Sequence, residues 1–457
     1  MTRGTGGKRL LGFADRFERL RILSASLIFS KCVLAGGRFP KPDFDTQYVA
    51  PVVPPPLPAS GLHGDGVALL VLGVSLVLTS YFALYRRSRR GVVAVGVFSV
   101  AFFGFIREGC ICPVGAVQNI AAGVFLPGTV LPWTIVAFFV LPLLFALFVG
   151  RVFCAGVCPL GAVQELLVLR PVQLPRWLQS GLSVIPLTLL ACAVWFAGTG
   201  TALPVCRLDP FVAFFRLSGA MSALLYGAAF LVFGAFVARP YCRFLCPYGV
   251  LLDWCSRLSW RHLSITPDEC VSCRLCEGAC PYGAILGTTE ADVGEPRIRG
   301  VRRLRTMLLL CPLLVVVGAC AGRVFAPVAA RMHPTIQQAR EVSVSGADEN
   351  VPLRAAAFQA QGGVADELRV RAQTTVGRVR AGGLWAGAFI GLMVGLKLVG
   401  QSLRRRREIY EPDRGTCVSC GRCFASCPRE RLRWGAKEDQ EDGEGHCAEQ
   451  GAHEDPS

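Results

Sequence analysis

Eight apolar runs, each near the length of a bilayer crossing, limit what this chain can fold into. They are Ile22–Gly37, Val67–Tyr85, Gly91–Ile106, Val130–Gly150, Leu182–Gly200, Gly219–Val237, Met307–Gly322 and Gly382–Val399. A hydrocarbon layer ~30 Å thick takes ~20 apolar residues of helix to span. Inside lipid a helix satisfies its own backbone, so each run predicts a helix. Composition agrees, with 52% of the 457 residues hydrophobic and only 18% charged. The expected fold is an α-helical polytopic membrane protein of about eight transmembrane helices.

Arginine clusters orient these spans. Arg86, Arg87, Arg89 and Arg90 follow the second run, and Arg239, Arg243, Arg257 and Arg261 follow the sixth. Arg302, Arg303 and Arg305 precede the seventh, and Arg404 to Arg407 follow the eighth. Alternating spans bring all of them to one face, which the positive-inside rule makes cytoplasmic. Both termini then lie in the cytoplasm, and the protein is a multi-pass resident of a bacterial cytoplasmic (inner) membrane. The net charge of +16 reads as topology-setting arginine, so no nucleic-acid partner is expected. A cleaved signal peptide is not expected, because Lys31 interrupts the first run and no clear cleavage site follows.

The chain divides accordingly. Residues 1–261 form a membrane domain with six spans, and its proline-rich stretch 39–58 is an extended outer loop. Residues 301–402 form a transmembrane hairpin with a periplasmic loop, 323–381. In the last span Gly383, Gly387, Gly391 and Gly395 recur every four residues, a stripe that favours close helix packing over a hinge. The acidic tail 437–457, with His446 and Cys447, reads as disordered.

The chain holds 21 cysteines, many spaced two or three apart, a pattern of metal ligation rather than disulfides. Segment 262–300 contains "CVSCRLCEGACP", with Cys270, Cys273, Cys276 and Cys280. Segment 403–436 contains "CVSCGRCFASCP", with Cys417, Cys420, Cys423 and Cys427. Both follow C-x2-C-x2-C-x3-C-P, the bacterial ferredoxin run for a [4Fe–4S] cluster. In two-cluster ferredoxins the fourth cysteine of each run ligates the other cluster. One cluster would then take Cys270, Cys273, Cys276 and Cys427. The other would take Cys417, Cys420, Cys423 and Cys280. The two halves would make a small α+β ferredoxin-like, two-cluster cytoplasmic domain, split in sequence by the transmembrane hairpin.

The membrane domain carries a repeat of its own. "FVGRVFCAGVCPLGAVQE" and "FVARPYCRFLCPYGVLLD" each end an apolar run and then place Arg, Cys, Cys-Pro, Gly and an acid at equal spacing. The pairs are Cys154/Cys158 and Cys242/Cys246, placed by the charge rule at the cytoplasmic face. Repeated helix pairs related by an axis along the membrane normal could gather all four for a metal or a further cluster. Two separate dithiols and inert cysteines are the rival readings. "REGCICPVGAVQN", with Cys110 and Cys112, is a shorter relative at the outer face, as is Cys206, and an outer cysteine pair or triad would follow. Cys32, Cys192, Cys255, Cys311 and Cys320 read as small buried residues. None of the five histidines lies in an expected span, which argues against a bis-histidine membrane haem, and His333 reads as an ordinary surface residue.

On its paired C-x3-C-P motifs after transmembrane helices and its double ferredoxin motif, the chain resembles membrane-bound polyferredoxins of the NosR/NapH type. The resemblance covers roughly Arg107 to Arg431. It implies electron transfer between a quinone-linked or cytoplasmic donor and a redox protein partner across the membrane. A related branch serves in oxidase or metal-site assembly. The chain departs from the NosR pattern in lacking room for a large flavin-binding domain before the first span, and in its added "GCICPVGAVQN". Neither flavin nor a nitrous-oxide role is carried over. Assembly or metal handling and thiol redox sensing stand as alternatives. No substrate pocket is readable, so the chain reads as an electron carrier or oxidoreductase subunit rather than a stand-alone catalyst.

Overall fold

The structure is a computed structural model that describes residues 64–109, 113–126, 129, 131–169, 171–201, 210–216, 221–265, 270–288, 297–344, 364–402, 407, 409–430 and 432. The expected first span, Cys110, Cys112, Cys206 and the acidic tail lie outside these residues. The elements, in chain order, begin with α1 (Asp65–Ser80) and α2 (Arg89–Ser99), each prolonged by a π-helical end, Tyr81–Tyr85 and Val100–Ile106. Then come α3 (Pro113–Phe125), α4 (Trp133–Val149), α5 (Pro159–Leu166), α6 (Arg176–Leu182), α7 (Val184–Thr199), α8 (Pro210–Arg216) and α9 (Met221–Phe236). Two short helices follow, α10 (Pro240–Phe244) and α11 (Pro247–Arg257), and then α12 (Leu275–Ala279) and strand β1 (Ile285–Leu286). The chain closes with α13 (Arg297–Ala330), α14 (Pro334–Val344), α15 (Ala365–Ser402), β2 (Glu411–Pro412) and α16 (Arg422–Ser426).

Five helical stretches are long and apolar enough to cross a membrane: Asp65–Tyr85, Arg89–Ile106, Trp177–Thr199, Ile298–Ala330 and Ala365–Ser402. Two further expected spans are the shorter apolar helices α4 and α9. The sequence reading leaves α3 out, since its 13 residues fall short of a crossing. It packs instead against α4 and α7, burying Ala116, Val117 and Ala121.

The helices α13 and α15 pack side by side through glycines, and both run on into the stretch 323–381 expected to be a loop. A Cβ at Gly383 would stand 2.7 Å from the Gly322 carbonyl and 3.1 Å from Ala326 Cβ. One at Gly387 would run into the Gly318 backbone, and one at Gly391 into the Leu314 backbone. Bare positions let the two backbones touch, which is how helices associate where lipid is as apolar as leucine. Two contacts fasten the hairpin to its neighbours: Trp195 Nε1 of α7 donates to the Val379 carbonyl at 3.0 Å, and Lys397 Nζ donates to Ser180 O of α6 at 2.8 Å. His333 differs from expectation. It is buried, its Nε2 meets Thr199 O at 3.2 Å, and its Nδ1 accepts from Thr335 N at 3.2 Å. It joins the α13–α14 turn to the end of α7.

Gly387→Val should separate the hairpin, lowering the melting temperature of detergent-solubilised protein by an amount that reflects overpacking, ~1–3 kcal/mol or more. Gly377→Ala, where nothing lies within 4 Å of the new methyl, should leave it unchanged.

Candidate iron–sulfur site

The two C-x3-C-P segments fold alike because proline dictates the turn. A residue before proline is pushed out of the helical region, while proline itself suits the first helical position. Cys158 and Cys246 accordingly have φ −72°, ψ 116° and φ −72°, ψ 110°, and Pro159 and Pro247 open α5 and α11. Each segment therefore leaves its preceding helix, turns back into the bundle and returns as a short helix. Sequence reasoning sets these cysteines at the membrane face, but the structure carries them inward. Ser99, ten residues beyond Arg89 in the α2 stretch, donates to the Val157 carbonyl. Tyr248 OH donates to Phe139 O at 2.7 Å, ten residues before Val149 in α4. The Gly156 backbone rests on Thr79, six residues before Tyr85. At 1.5 Å per residue these levels lie about 10–15 Å in from the helix ends.

The repeats are interlocked. Arg239 of the second repeat donates to the carbonyls of Cys154 and Ala155 in the first, and its Nη1 would lie 3.4 Å from a Cβ at Gly161. Arg151 of the first repeat sits the same way over Gly249 of the second, its Nη2 3.4 Å from a Cβ there. Each repeat's acid serves the other repeat's arginine. Glu165 Oε2 accepts from Arg239 Nε at 3.1 Å, and Asp253 lies in electrostatic range of Arg151. This cross-exchange gives the equal spacing of the two copies a physical sense: arginine and acid of one copy meet glycine, carbonyls and arginine of the other. It also gathers the cysteines, since Cys154, Cys242 and Cys246 all neighbour Cys158. Gln164 Nε2 reaches Cys242 Sγ at 3.4 Å.

The ferredoxin halves dock on the same end of the bundle. Antiparallel pairing of β1 with β2 joins the segment after the first motif to the segment before the second. Both motifs bend alike: Ser272 and Arg274 have φ +51° and +62°, and Ser419 and Gly421 have φ +54° and +78°. Left-handed residues alternating with right-handed ones turn backbone N–H groups toward one point, a concavity found at iron–sulfur sites. Cys270, Cys273 and Cys276 line one cavity together with Cys427. Cys417, Cys420 and Cys423 have Cys280 as their fourth neighbour. Each motif's fourth cysteine thus lies beside the first three of the other motif. Cys270 and Cys273 are exposed, whereas Cys276, Cys280, Cys417 and Cys423 are buried. Of the cysteines expected to be inert, Cys192, Cys255 and Cys311 are half-buried, and Cys320 is exposed on α13.

One buried carboxylate ties these parts together. Glu165 Oε1 pairs with Arg422 Nε at 2.8 Å and lies 3.7 Å from Arg89 Nη2. Its Oε2 takes Arg239 and accepts from the Tyr282 hydroxyl. Tyr282 follows Cys280 by two residues, and Arg422 stands between Cys420 and Cys423. Arg151 Nη1 donates to Gly415 O at 2.9 Å, and Ser256 Oγ to Arg414 O at 2.6 Å. Arg87 joins both halves: it pairs with Glu430 at 2.8 Å, donates to the carbonyls of Ser264 and Ile265, and lies 5.4 Å from the Phe424 ring centroid. The sequence presents Glu165, Arg239 and Arg422 as unremarkable charges. The matched acid in the repeat is the one signal that could have marked Glu165.

These cysteines suit iron better than a single soft ion. Burial pushes the Cys417 thiol up to about 12 and the Cys420 and Cys276 thiols up to about 11, with neighbouring thiolates adding to the shift. Bound cationic iron is what would hold such groups as thiolates. Among the described residues no three Cys, His, Asp or Glu side chains converge tightly enough for one metal ion. A tetrahedral ion with ~2.3 Å bonds to sulfur gathers its sulfurs to within ~4 Å, whereas a four-iron cube spreads them wider.

Comparison with known proteins bears on these segments. A 4Fe-4S binding domain family matches residues 109–128, 131–176 and 220–266, and a second 4Fe-4S binding domain family matches residues 263–286. The first thus covers both C-x3-C-P segments, and the second covers the first ferredoxin motif. Protein NirI of Paracoccus denitrificans is 38% identical over 152 residues, 30% of this chain and 22% of its own length. The putative electron transport protein YccM of Escherichia coli is 30% identical over 164 residues, 32% of this chain and 44% of its own. Regulatory protein NosR of Stutzerimonas stutzeri is 26% identical over 254 residues, 48% of this chain and 33% of its own. This chain carries 4Fe-4S binding domains and is a relative of NirI, YccM and NosR. It spans less than half the length of each of these three relatives. No solved structure matches it. The matches thus agree with the five helices long and apolar enough to cross a membrane and with the cysteine motifs in giving a chain with 4Fe-4S binding domains.

Cys427→Ser should remove the cluster of Cys270, Cys273 and Cys276 and leave the cluster of its own motif. Electron paramagnetic resonance (EPR) of the reduced protein, compared with Cys270→Ser and Cys417→Ser, checks this. A Cys427→Ser spectrum matching Cys417→Ser would reject the exchange.

Proposed function

We propose that this chain is a membrane-bound electron carrier whose two ferredoxin [4Fe–4S] clusters exchange electrons with a quinone or with a redox partner in or beyond the membrane. One cluster is held by Cys270, Cys273, Cys276 and Cys427, the other by Cys417, Cys420, Cys423 and Cys280. The observation that carries this reading is the exchange of fourth cysteines between two motifs 147 residues apart, on a platform built by the membrane repeats. When bound, such clusters supply one-electron transfer at low potential. The protein's part is to grade their exposure. Cys270 and Cys273 face solvent, as an entry point for a donor requires, while the second set is sealed between Arg151, Arg239 and Arg422.

The arginines that orient the spans also meet the ferredoxin halves, which supports a cytoplasmic location for both clusters and an inner-membrane protein with both termini inside. A carrier or oxidoreductase subunit fits this arrangement better than a stand-alone catalyst. Metal handling by the C-x3-C-P pairs is the second reading. Three thiolates drawn onto one copper ion are an arrangement absent among the described residues.

Anaerobically purified full-length protein should show two ferredoxin-type EPR signals on reduction, and Cys273→Ser should abolish one. A quinol analogue should reduce the clusters within seconds if quinone is the direct partner. Clusters reduced by dithionite but untouched by quinol or quinone would leave a protein as the partner.

A further inference from the structure

We propose that the arginines at one end of the α13–α15 pair, the end that leads from β1 and into β2, form a binding site for the head groups of anionic phospholipids. The proposal rests on these two helices crossing the membrane and is independent of the electron-transfer reading.

The first observation is a charge that its own helices do not balance. Arg297, Arg299, Arg302, Arg303 and Arg305 open α13, and Arg404 to Arg407 follow α15. No aspartate or glutamate occurs between Arg297 and Arg340, or between Leu368 and Arg407. The nearest acids along the chain, Glu295 and Glu408, are two against nine arginines. Elsewhere near the ferredoxin segments arginine is matched within the protein: Arg87 pairs with Glu430, Arg239 and Arg422 with Glu165, and Arg257 with Asp253. The positive-inside rule accounts for the side on which the nine lie, but it supplies no counter-charge.

The second observation is that folding gathers them. Arg303 Nε donates to Ser402 Oγ at 3.3 Å, and its Nη2 donates to Ser402 O at 3.1 Å. This brings the start of α13 beside the end of α15, so two arginine runs about a hundred residues apart meet at one place. Like charges held together repel, and an anion among them offsets that cost. Arg299, Arg302 and Arg305 are exposed and can reach one.

The third observation is their level. Met307 begins the apolar stretch of α13. At 1.5 Å per residue, Arg305 stands about 3 Å beyond it, Arg302 about 8 Å and Arg299 about 12 Å. The head-group layer on each side of a bilayer is ~5–8 Å thick. Arg302, Arg303 and Arg305 therefore fall within it, with Arg299 at its outer edge. Guanidinium groups take phosphate oxygens through paired charge-assisted hydrogen bonds. Basic clusters directly beside a transmembrane helix suit anionic lipids for this reason. Directly below the arginines, Leu308, Leu309 and Leu313 are exposed, and the apolar stretch of α13 is unburied. Acyl chains have a face to lie along there. An acidic protein or free phosphate could answer the charge but would leave that face unused.

The test uses the full-length chain in lipid-free detergent, titrated with dioleoylphosphatidylglycerol or dioleoylphosphatidylcholine. Bound lipid is counted by native mass spectrometry, and the melting temperature is followed in parallel. Phosphatidylglycerol should bind at least tenfold more tightly than phosphatidylcholine and should raise the melting temperature. Arg299→Gln with Arg302→Gln and Arg305→Gln should weaken phosphatidylglycerol binding about a hundredfold, at about fivefold per arginine, and leave phosphatidylcholine binding unchanged. Arg302→Gln alone, with a loss of about fivefold, serves if the triple variant fails to assemble. Arg331→Gln with Arg340→Gln and Arg378→Gln, three exposed arginines at the far end of the pair, should change the affinity less than twofold. Equal affinity for the two lipids, or an equal loss in the far-end variant, would overturn the site. Inorganic phosphate or polyglutamate that displaces phosphatidylglycerol at equal concentration would also overturn it, in favour of a free anion or an acidic protein.

Discussion

A single buried carboxylate organises the described part of this molecule. Glu165 faces Arg239 at 3.1 Å, Arg422 at 2.8 Å, the Tyr282 hydroxyl and, at 3.7 Å, Arg89. These come from the other membrane repeat, the second ferredoxin motif, the first ferredoxin motif and the second span. Separating one partner from a buried pair leaves an uncompensated charge and costs roughly 3–5 kcal/mol. The ferredoxin halves therefore cannot drift from the membrane platform without stranding Glu165. Buried ion pairs are weak evidence for stability but can specify register, and here the registered objects are cysteine sets.

The arginines carry two roles with one charge. In sequence they orient the spans by the positive-inside rule. In space Arg87 and Arg243 spend that charge on the ferredoxin segments: Arg243 donates to Tyr282 O at 2.6 Å, and Arg87 pairs with Glu430 at 2.8 Å. The same groups that orient the spans clamp the ferredoxin segments against them.

Placing thiols part-way into the bundle changes how electrons could traverse it. Cysteines set at the helix ends would leave the whole hydrocarbon thickness uncrossed. The Cys-Pro turn shortens that distance by local chemistry. Proline forbids helix at the preceding cysteine and favours it from itself onward, so a segment can enter the bundle, present a thiol and retreat within about fifteen residues. Its backbone is satisfied because it is enclosed by α1, α2 and α4, the condition under which irregular structure is tolerated at membrane depth.

Much of this was legible in the sequence. Apolar runs marked the spans because lipid leaves the backbone no alternative to helix. Cysteine spacing marked the ferredoxin motifs because a cube needs its ligands close together along the chain. The glycine stripe predicted a close helix contact for a similarly local reason, and the structure supplies its partner, α13. The 88-residue repeat was visible too, as equal spacing of arginine, cysteines, glycine and acid. What the repeat meant was not visible. Its residues match across copies rather than within one: Arg239 fits Gly161, Arg151 fits Gly249, and Glu165 answers Arg239. Depth was equally hidden, because arginines beside apolar runs read as surface charge until partners are seen to neutralise them. His333 and α3 were misjudged on the same ground, one buried by contacts from α7 and the other held by packing too short in sequence to register. Sequence by itself determined which elements form and which cysteines belong to ferredoxin motifs, since both follow from neighbours along the chain. Tertiary structure decided which cysteines share a site and how far inside they lie, since both depend on charge pairs between segments 70 or more residues apart.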